Sequence, residues 1–225
     1  MTRDCYEIIK DETALREFIE WLPDHSNEEC YFYSLFCRVK YADSMRKSGG
    51  GNLLFRGISD KKSLFRKFQQ LECPIGAYQK KDEIVPQESL ALYINPNPRS
   101  LYKASLNTLS SLVDNIKKDH RTASPHKEAL SCIQTSPADK VFLDFDVDDK
   151  EEGTLQMVRE ILDGISPEII ETRGGYHVLV RHKDIPNILD KNGWHNRMAR
   201  ISDTYGDVMV PVIGSHHGGF IPKFV

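Results

Sequence analysis

The segment VFLDFDVDD (141–149) carries the most specific pattern in the chain. Side chains alternate between the faces of a β-strand, so Asp144, Asp146 and Asp148 share one face while the apolar residues between them share the other. Carboxylates two positions apart on one face lie roughly 6–7 Å apart, given the rise per residue. That spacing suits joint ligation of Mg²⁺ or Mn²⁺, which bind carboxylate oxygens and keep room for water and phosphates. The plain alternative is a strand that ends in a solvated acidic turn.

A second polar segment, ETRGGYHVLV (171–180), follows after one predicted helix. His177 lies 33 residues after Asp144, about the length of a strand–helix–strand unit, so the two side chains can meet on one sheet. Gly174 and Gly175 let the backbone approach a ligand closely. Arg173 and His177 supply donors suited to a triphosphate. The alternative is that a histidine at the start of an apolar strand is structural.

The third segment, PVIGSHHGGF (211–220), places Ser215 and His217 in a glycine turn between apolar stretches. A zinc site needs more ligands at suitable spacing, and the G-x-S-x-G spacing of a hydrolase nucleophile is missing. A loop that contacts phosphate or nucleic acid fits better, and a polar hairpin tip is the simple alternative. Asp203 and Asp207, just upstream, are both candidates for a third carboxylate.

Together the three segments resemble the catalytic core of the archaeo-eukaryotic primase superfamily, which contains the primase-polymerases. FLDFD (142–146) resembles that family's metal-binding strand, and TRGGYH (172–177) resembles its turn ending in histidine. ISDTYGDVMVPVIGSHHGG (201–219) resembles its third acid and the loop that follows. The resemblance covers roughly residues 90–225 and says little about residues 1–89.

The resemblance implies a role for each matched residue. The metal-binding and catalytic acids fall on Asp144, Asp146 and Asp203, with Asp207 as the other choice for the third. The phosphate-binding histidine falls on His177. We also expect contacts to the nucleotide from other residues of the matched segments: Arg99, Arg173, Gly174, Gly175, Ser215 and His217.

The implied activity is template-directed joining of nucleoside triphosphates by a two-metal mechanism with Mg²⁺ or Mn²⁺, as in a primase or DNA polymerase of DNA replication. The implied partners are nucleoside triphosphates, a single-stranded DNA template or primer-template, and a helicase or other replication subunit. Two alternatives stay open. One is a catalytically inactive primase-like accessory or single-strand-binding module, and the other is a metal-dependent phosphoesterase.

The expected fold is α+β, with an RRM-like mixed or antiparallel sheet flanked by helices as the catalytic core and an N-terminal α/β sub-domain packed against it. We expect one domain over 1–225, whose 1–89 part is N-terminal and whose 90–225 part binds metal and nucleotide. YFYSLFCRVKY (31–41) alternates like a strand. Residues 47–52 indicate a loop, and 185–206 a helix with a break at Asn192-Gly193. The helix predicted over about 99–118 carries five apolar residues at helical spacing: Tyr102, Leu106, Leu109, Val113 and Ile116.

The 225-residue chain has 30 basic and 33 acidic residues, which excludes a strongly basic, tail-driven nucleic-acid binder. Template binding therefore needs a local basic surface, for which the candidates are Lys61, Lys62, Arg66, Lys67 and Arg181. No apolar run approaches the roughly 20 residues of a membrane span, so we expect no membrane partner. Five scattered cysteines and a charged N-terminus without a secretion signal favour an intracellular protein.

Overall fold

The computed structural model describes residues 4–42, 52–80, 82–119, 124–185 and 193–225. Its helices are α1 (Glu12–Trp21), α2 (Leu64–Gln69), α3 (Leu101–Asp119), α4 (Pro125–Gln134), α5 (Thr154–Ile161) and α6 (Trp194–Ile201). Its strands are β1 (Glu29–Cys37), β2 (Leu53–Ser59), β3 (Gln79–Lys80), β4 (Glu83–Ile84), β5 (Leu90–Ile94), β6 (Arg99–Ser100), β7 (Phe142–Val147), β8 (Glu168–Glu171), β9 (Tyr176–Arg181), β10 (Thr204–Gly206), β11 (Val210–Pro211) and β12 (Lys223–Phe224). The prediction of an α+β fold is confirmed.

The first sheet has the strand order β11-β5-β1-β2, and β6 pairs with the start of β1. All neighbouring strands are antiparallel. Tyr33 and Leu35 of β1 pack with Leu64 and Phe68 on the side where α1 and α2 lie. The opposite side of the sheet faces α4, since Arg56 of β2 donates a hydrogen bond to the Ser131 hydroxyl at 3.1 Å. Both faces of β1 are therefore covered.

The second sheet has the order β10-β7-β9-β8-β12, again with antiparallel neighbours. The alternation predicted for β7 is confirmed. Phe145 and Val147 face α5 and α6 in a cluster that also contains Met198. Asp144 and Asp146 lie on the other face, which is turned toward the first sheet. The acids are thus displayed by a strand whose apolar residues anchor it from behind.

The two sheets share one buried cluster. Phe142, Ile170 and Leu179 of the second sheet belong to the same cluster as the core of the first. Trp21 of α1 stacks on Phe142 with ring centroids 4.9 Å apart. Strand membership does not divide at residue 89, because β5, β6 and β11 all belong to the first sheet. Residues from both the 1–89 part and the 90–225 part therefore build the first sheet.

Asn97 joins the sheets through hydrogen bonds. Its Nδ2 donates to the Phe142 carbonyl at 2.9 Å, and its Oδ1 accepts from the backbone amides of Val141 and Phe142 at 2.9 and 2.7 Å. The same Nδ2 lies 2.9 Å from Asp207 Oδ1. Asn97 is 1% exposed, so these bonds form away from water. A loop that follows β5 thereby fixes the start of the acidic strand.

Within the described ranges, no helix has the length and apolar character to cross a membrane. The loop predicted at 47–52 falls almost wholly outside the described residues, as does the part of the predicted 185–206 helix that precedes Gly193. After Gly193 the prediction is confirmed for Trp194–Ile201, which form α6, and is wrong for Thr204–Gly206, which form β10.

Asn97→Ala should lower the free energy of unfolding by about 2–5 kcal/mol, because it leaves buried backbone amides without an acceptor at about 1–3 kcal/mol each. Urea denaturation of the two proteins measures the difference. Asn107→Ala is the matched control, since Asn107 makes a single bond to Ser136 at 3.0 Å. Equal losses for the two variants would contradict the role given to Asn97.

Candidate functional site

A pocket of about 500 Å³ opens between the two sheets. The second sheet contributes Asp146, Asp148 and His177 to its wall, and the first contributes aromatic and basic residues from the ends of β1 and β5. The end of α4 and the segment around β11 complete it. Carboxylates on one wall and cations on the other therefore face a single space.

His177 and Asp144 form the buried pair predicted from their spacing. The ring Nδ1 of His177 lies 2.8 Å from Asp144 Oδ2, and the two residues are 5% and 1% exposed. Burial favours the neutral ring, but the Asp144 carboxylate and its hydrogen bond, with Asp146, outweigh it and raise the pKa of His177. The Nδ1–H of the ring donates this hydrogen bond to the Asp144 carboxylate. Asp144 lies beneath His177, and its other oxygen has no hydrogen-bond partner in the described structure.

Asp146 lies at the pocket wall, close to three other carboxylates. Its Oδ1 is 3.6 Å from His177 Nε2. Burial raises the pKa of Asp146; His177 opposes this, while Asp144, Asp148 and Asp203 add to the increase. Four carboxylates are therefore close enough to repel one another, which is the electrostatic setting that a bound cation relieves.

The two candidates for the third acid have different partners. Asp203 is exposed beside this group and accepts a hydrogen bond from the Asp148 amide at 3.0 Å. Asp207 instead forms an ion pair with both terminal nitrogens of Arg99, one of them 2.7 Å away. Arg99 is fully buried, so the expectation that it reaches a phosphate is corrected. Its guanidinium holds Asp207 in place at the pocket wall.

The Arg-Gly-Gly turn packs tightly against the end of β7. A Cβ at Gly175 would lie 1.9 Å from the Val147 carbonyl oxygen, and one at Gly174 would lie 2.5 Å from Asp148 Oδ1. The glycines thus bring the turn against the acidic strand, and Gly174 also lines the pocket. Arg173 donates to the Gly218 carbonyl at 2.7 Å and covers the Tyr41 ring, with its exposed side chain at the rim.

The two residues predicted from the last turn differ in placement. Ser215 is fully buried and donates to the Val212 carbonyl at 2.6 Å, so the expectation of a nucleotide contact is corrected. His217 does line the pocket, where its Nε2–H donates to the Leu92 carbonyl at 2.8 Å. Burial lowers the pKa of His217 to about 3, despite the opposing effect of that hydrogen bond. His217 is therefore a neutral wall residue.

Arg38 is the main site residue that the sequence interpretation missed. Its Nε and Nη2 donate to the Tyr93 hydroxyl at 3.1 and 2.6 Å, and it faces the pocket together with Lys40. Asn95 also lines the pocket; it is 2% exposed, and its Oδ1 has no partner in the described part of the chain. The sequence could have indicated Arg38, because it lies two residues after Phe36 and therefore continues the same face of β1 beyond the end of the strand.

The five residues predicted to form a basic surface lie in two separate parts of the structure, around α2 and at the end of β9. Lys61 is held by the carbonyls of Glu20 and Leu22 at 2.9 and 2.6 Å and by Asp24 at 3.0 Å. Lys62 lies just before α2, and Arg66 and Lys67 belong to it, on the side of the first sheet opposite to the pocket. Arg181 lies at the far end of β9 from His177, over the Phe142 ring and 3.4 Å from Glu168. None of these five residues lines the pocket, so their placement does not support the template-binding role expected of them.

The carboxylates form no closed metal cage, since no group of three or more His, Cys, Asp or Glu side chains within the described residues is arranged to hold an ion. The donor set nonetheless fits a hard divalent cation. It offers carboxylate oxygens at the pocket wall and a buried Asp144 oxygen with no hydrogen bond. An open site of this kind suits an ion that arrives with a phosphate ligand and its own water.

No protein-family model, curated protein or solved structure matches the chain.

Gly175→Ala should destabilise the fold by about 3 kcal/mol or more, because the new methyl group cannot fit against the Val147 carbonyl without separating the turn from β7. Urea denaturation measures the loss. Gly164→Ala is the control, since Gly164 has a φ of 80° but no neighbour within 4 Å. Backbone strain alone should cost it about 1–2 kcal/mol. A smaller loss at Gly175 than at Gly164 would show that the close approach does not matter.

The free energy of unfolding should fall as the pH is lowered from about 6.5 toward 3. Folded His217 stays neutral in this window while the unfolded chain takes up the proton, so the unfolded state binds more protons. His217→Gln should flatten this slope by up to about 1.4 kcal/mol per pH unit. Denaturation at several pH values tests this, with the exposed His182→Gln as control. An unchanged slope in His217→Gln would refute the assignment.

Proposed function

We propose that the protein is a metal-dependent, template-directed nucleotidyltransferase of the primase-polymerase type. One observation carries the proposal: Asp146 and Asp148 face Arg38 and Lys40 across one pocket, with His177 beside the acids and Asp144 bonded to His177 beneath it. A triphosphate bound through divalent cations needs both walls, acids for the ions and cations for the phosphate oxygens. The pocket volume falls within the range of small-molecule sites.

The order of elements supports the primase-like interpretation. From β7 onward the chain runs strand, helix, strand, strand, helix, strand, and these four strands have the spatial order β10-β7-β9-β8. That is the arrangement of a split βαβ fold, the class to which RRM-like sheets belong. In it the strand with the acids and the strand with His177 are adjacent, and Asp146 pairs with His177 in register.

The chain's own residues have separable roles in this proposal. Arg38, held at a fixed angle by the Tyr93 hydroxyl, contacts the triphosphate with Lys40, and Arg173 adds charge at the rim. The Nε2–H of His177 donates a hydrogen bond to a phosphate oxygen, and the bond from Nδ1 to Asp144 fixes the ring. Catalysis then depends on positioning and charge neutralisation, without a covalent intermediate.

Asp144, Asp146 and Asp203 would hold the divalent cations, with Asp148 as a further ligand that the sequence interpretation had placed on the same face. When bound, such ions lower the pKa of an attacking 3′-hydroxyl and neutralise charge on the pyrophosphate leaving group. The template would reach the pocket from its open side, near Arg173 and Tyr41, rather than along α2.

The accessory-module alternative also has a specific observation in its favour. Asp144 is already bonded to His177, and Asp207 is bonded to Arg99, so two candidate metal ligands have partners within the chain. A primase-like protein that binds nucleotide or single-stranded DNA without catalysis would tolerate both pairs. Metal-dependent triphosphate binding distinguishes it from the enzyme.

Calorimetry with Mn²⁺ and a nucleoside triphosphate, together with primer extension on a single-stranded DNA template, tests the proposal. The wild-type chain should bind the triphosphate only with metal and should extend the primer. Asp146→Asn should reduce extension at least about a hundredfold, because ion-based charge stabilisation is worth several kcal/mol. Asp163→Asn removes the same charge from an exposed position at the end of α5 and should be fully active. A folded Asp146→Asn protein with full activity would exclude the proposal.

A second variant tests the basic wall of the pocket separately from the carboxylate wall. Arg38→Gln should weaken triphosphate binding at least about tenfold, the value of one charge-assisted hydrogen bond, while the carboxylates remain intact. Cleavage of nucleic acid without triphosphate consumption would favour the phosphoesterase. Absence of any metal-dependent nucleotide binding would favour the accessory module.

A further inference from the structure

Helix α3 turns its apolar stripe to solvent. Five side chains that share one face are half exposed or more: Tyr102 66%, Leu106 52%, Leu109 63%, Val113 50% and Ile116 56%. An amphipathic helix on a globular protein normally places such a stripe against the core. Among the residues that the structure describes, the stripe of α3 therefore has no apolar partner that covers it.

The inner face of α3 is correspondingly small and polar. Ala104 is the one buried side chain among those described for α3, Asn107 donates to the Ser136 hydroxyl at 3.0 Å, and Ser111 bonds to Glu128 of α4. Asn115 reaches the same glutamate at 3.4 Å. These polar contacts fix which way α3 faces, so rotation of the helix cannot bury the stripe without breaking them.

The stripe has the spacing of a helix–helix seam. Its members follow one another at steps of four, three, four and three residues, which is the alternation of the a and d positions in a coiled coil. The helix of 19 residues is about 28 Å long, enough for more than two such repeats. A straight, repeating apolar seam fits another helix better than it fits an extended peptide or a flat surface.

We propose that α3 is the interface between two copies of this chain, packed stripe against stripe in a two-fold symmetric dimer. The exposed stripe is on the order of 500 Å², comparable with the largest apolar patch on a monomer. Two copies would bury on the order of 1,000 Å², which meets the lower bound for a specific interface. Ser105, Ser110 and Leu112 flank its centre, so the middle of the stripe has no charged neighbour, and Lys103 and Lys117 flank its two ends.

This dimer leaves the pocket open. α4 separates the two features, because it packs against the inner face of α3 while its end contributes Gln134 and Thr135 to the pocket wall. Association through the stripe is therefore independent of nucleotide or metal, and its test does not depend on the proposed function.

Sedimentation velocity of the full chain over a wide concentration range tests the proposal. The wild-type protein should show a species of twice the 25.8 kDa chain mass. Leu109→Glu, at the centre of the stripe, should raise the dimer dissociation constant at least about thirty-fold, the effect of losing an interface hot spot. Lys118→Gln makes the same change in charge at an exposed position off the stripe and should leave the constant unchanged.

Circular dichroism of each variant shows whether it is folded. If Leu109→Glu is unfolded, Ile116→Gln near the end of the helix provides the same measurement with a milder change. A wild-type chain that stays monomeric at every concentration overturns the proposal, whether or not another protein binds the stripe. A dimer that survives both substitutions overturns it as well.

Discussion

The bonds of Asn97 set the distance between the two sheets, and the pocket depends on that distance. By binding the backbone of Val141 and Phe142 on one side and Asp207 on the other, one buried amide fixes where the acidic strand begins and where the returning segment passes. The ion pair between Asp207 and Arg99 extends the same junction. A buried pair of this kind tolerates the loss of neither partner, since the survivor keeps an uncompensated charge. The walls of the site are thus held by polar contacts rather than by apolar packing alone.

The site keeps its opposite charges apart. Arg38 is tethered to the neutral hydroxyl of Tyr93, so its charge stays available to an anion. Burial raises the pKa of Asp146, and repulsion from Asp144, Asp148 and Asp203 adds to the increase, while the adjacent His177 opposes it. A protein selected only for stability would pair such groups across the gap. Separation of this kind suits a ligand that brings both phosphate and cation.

The pairing of Asp144 with His177 was accessible from sequence, because a strand's period of two and the length of one strand–helix–strand unit are local rules. The choice between Asp203 and Asp207 was not, since it depends on Arg99, which is 108 residues from Asp207. The prediction for Ser215 was wrong for a similar reason. Its hydroxyl donates to a carbonyl of its own turn, and the presence of a serine in the sequence does not show which acceptor its hydroxyl will find. Apolar periodicity predicted the helix α3 but not which of its faces turns inward. That choice depends on tertiary contacts such as the hydrogen bond from Asn107 to Ser136.

The return of β11 to the first sheet has a consequence for synthesis of the chain. Val210 pairs with Ile94 of β5, so the edge of that sheet is completed by residues made more than a hundred positions later. During translation β5 therefore has an unpaired hydrogen-bonding edge while β7, β8, β9 and β10 of the second sheet are produced. Unprotected edges invite pairing with other chains, and long-range pairing slows folding. Until residue 211 is available, the edge of β5 is therefore open to pairing with another chain.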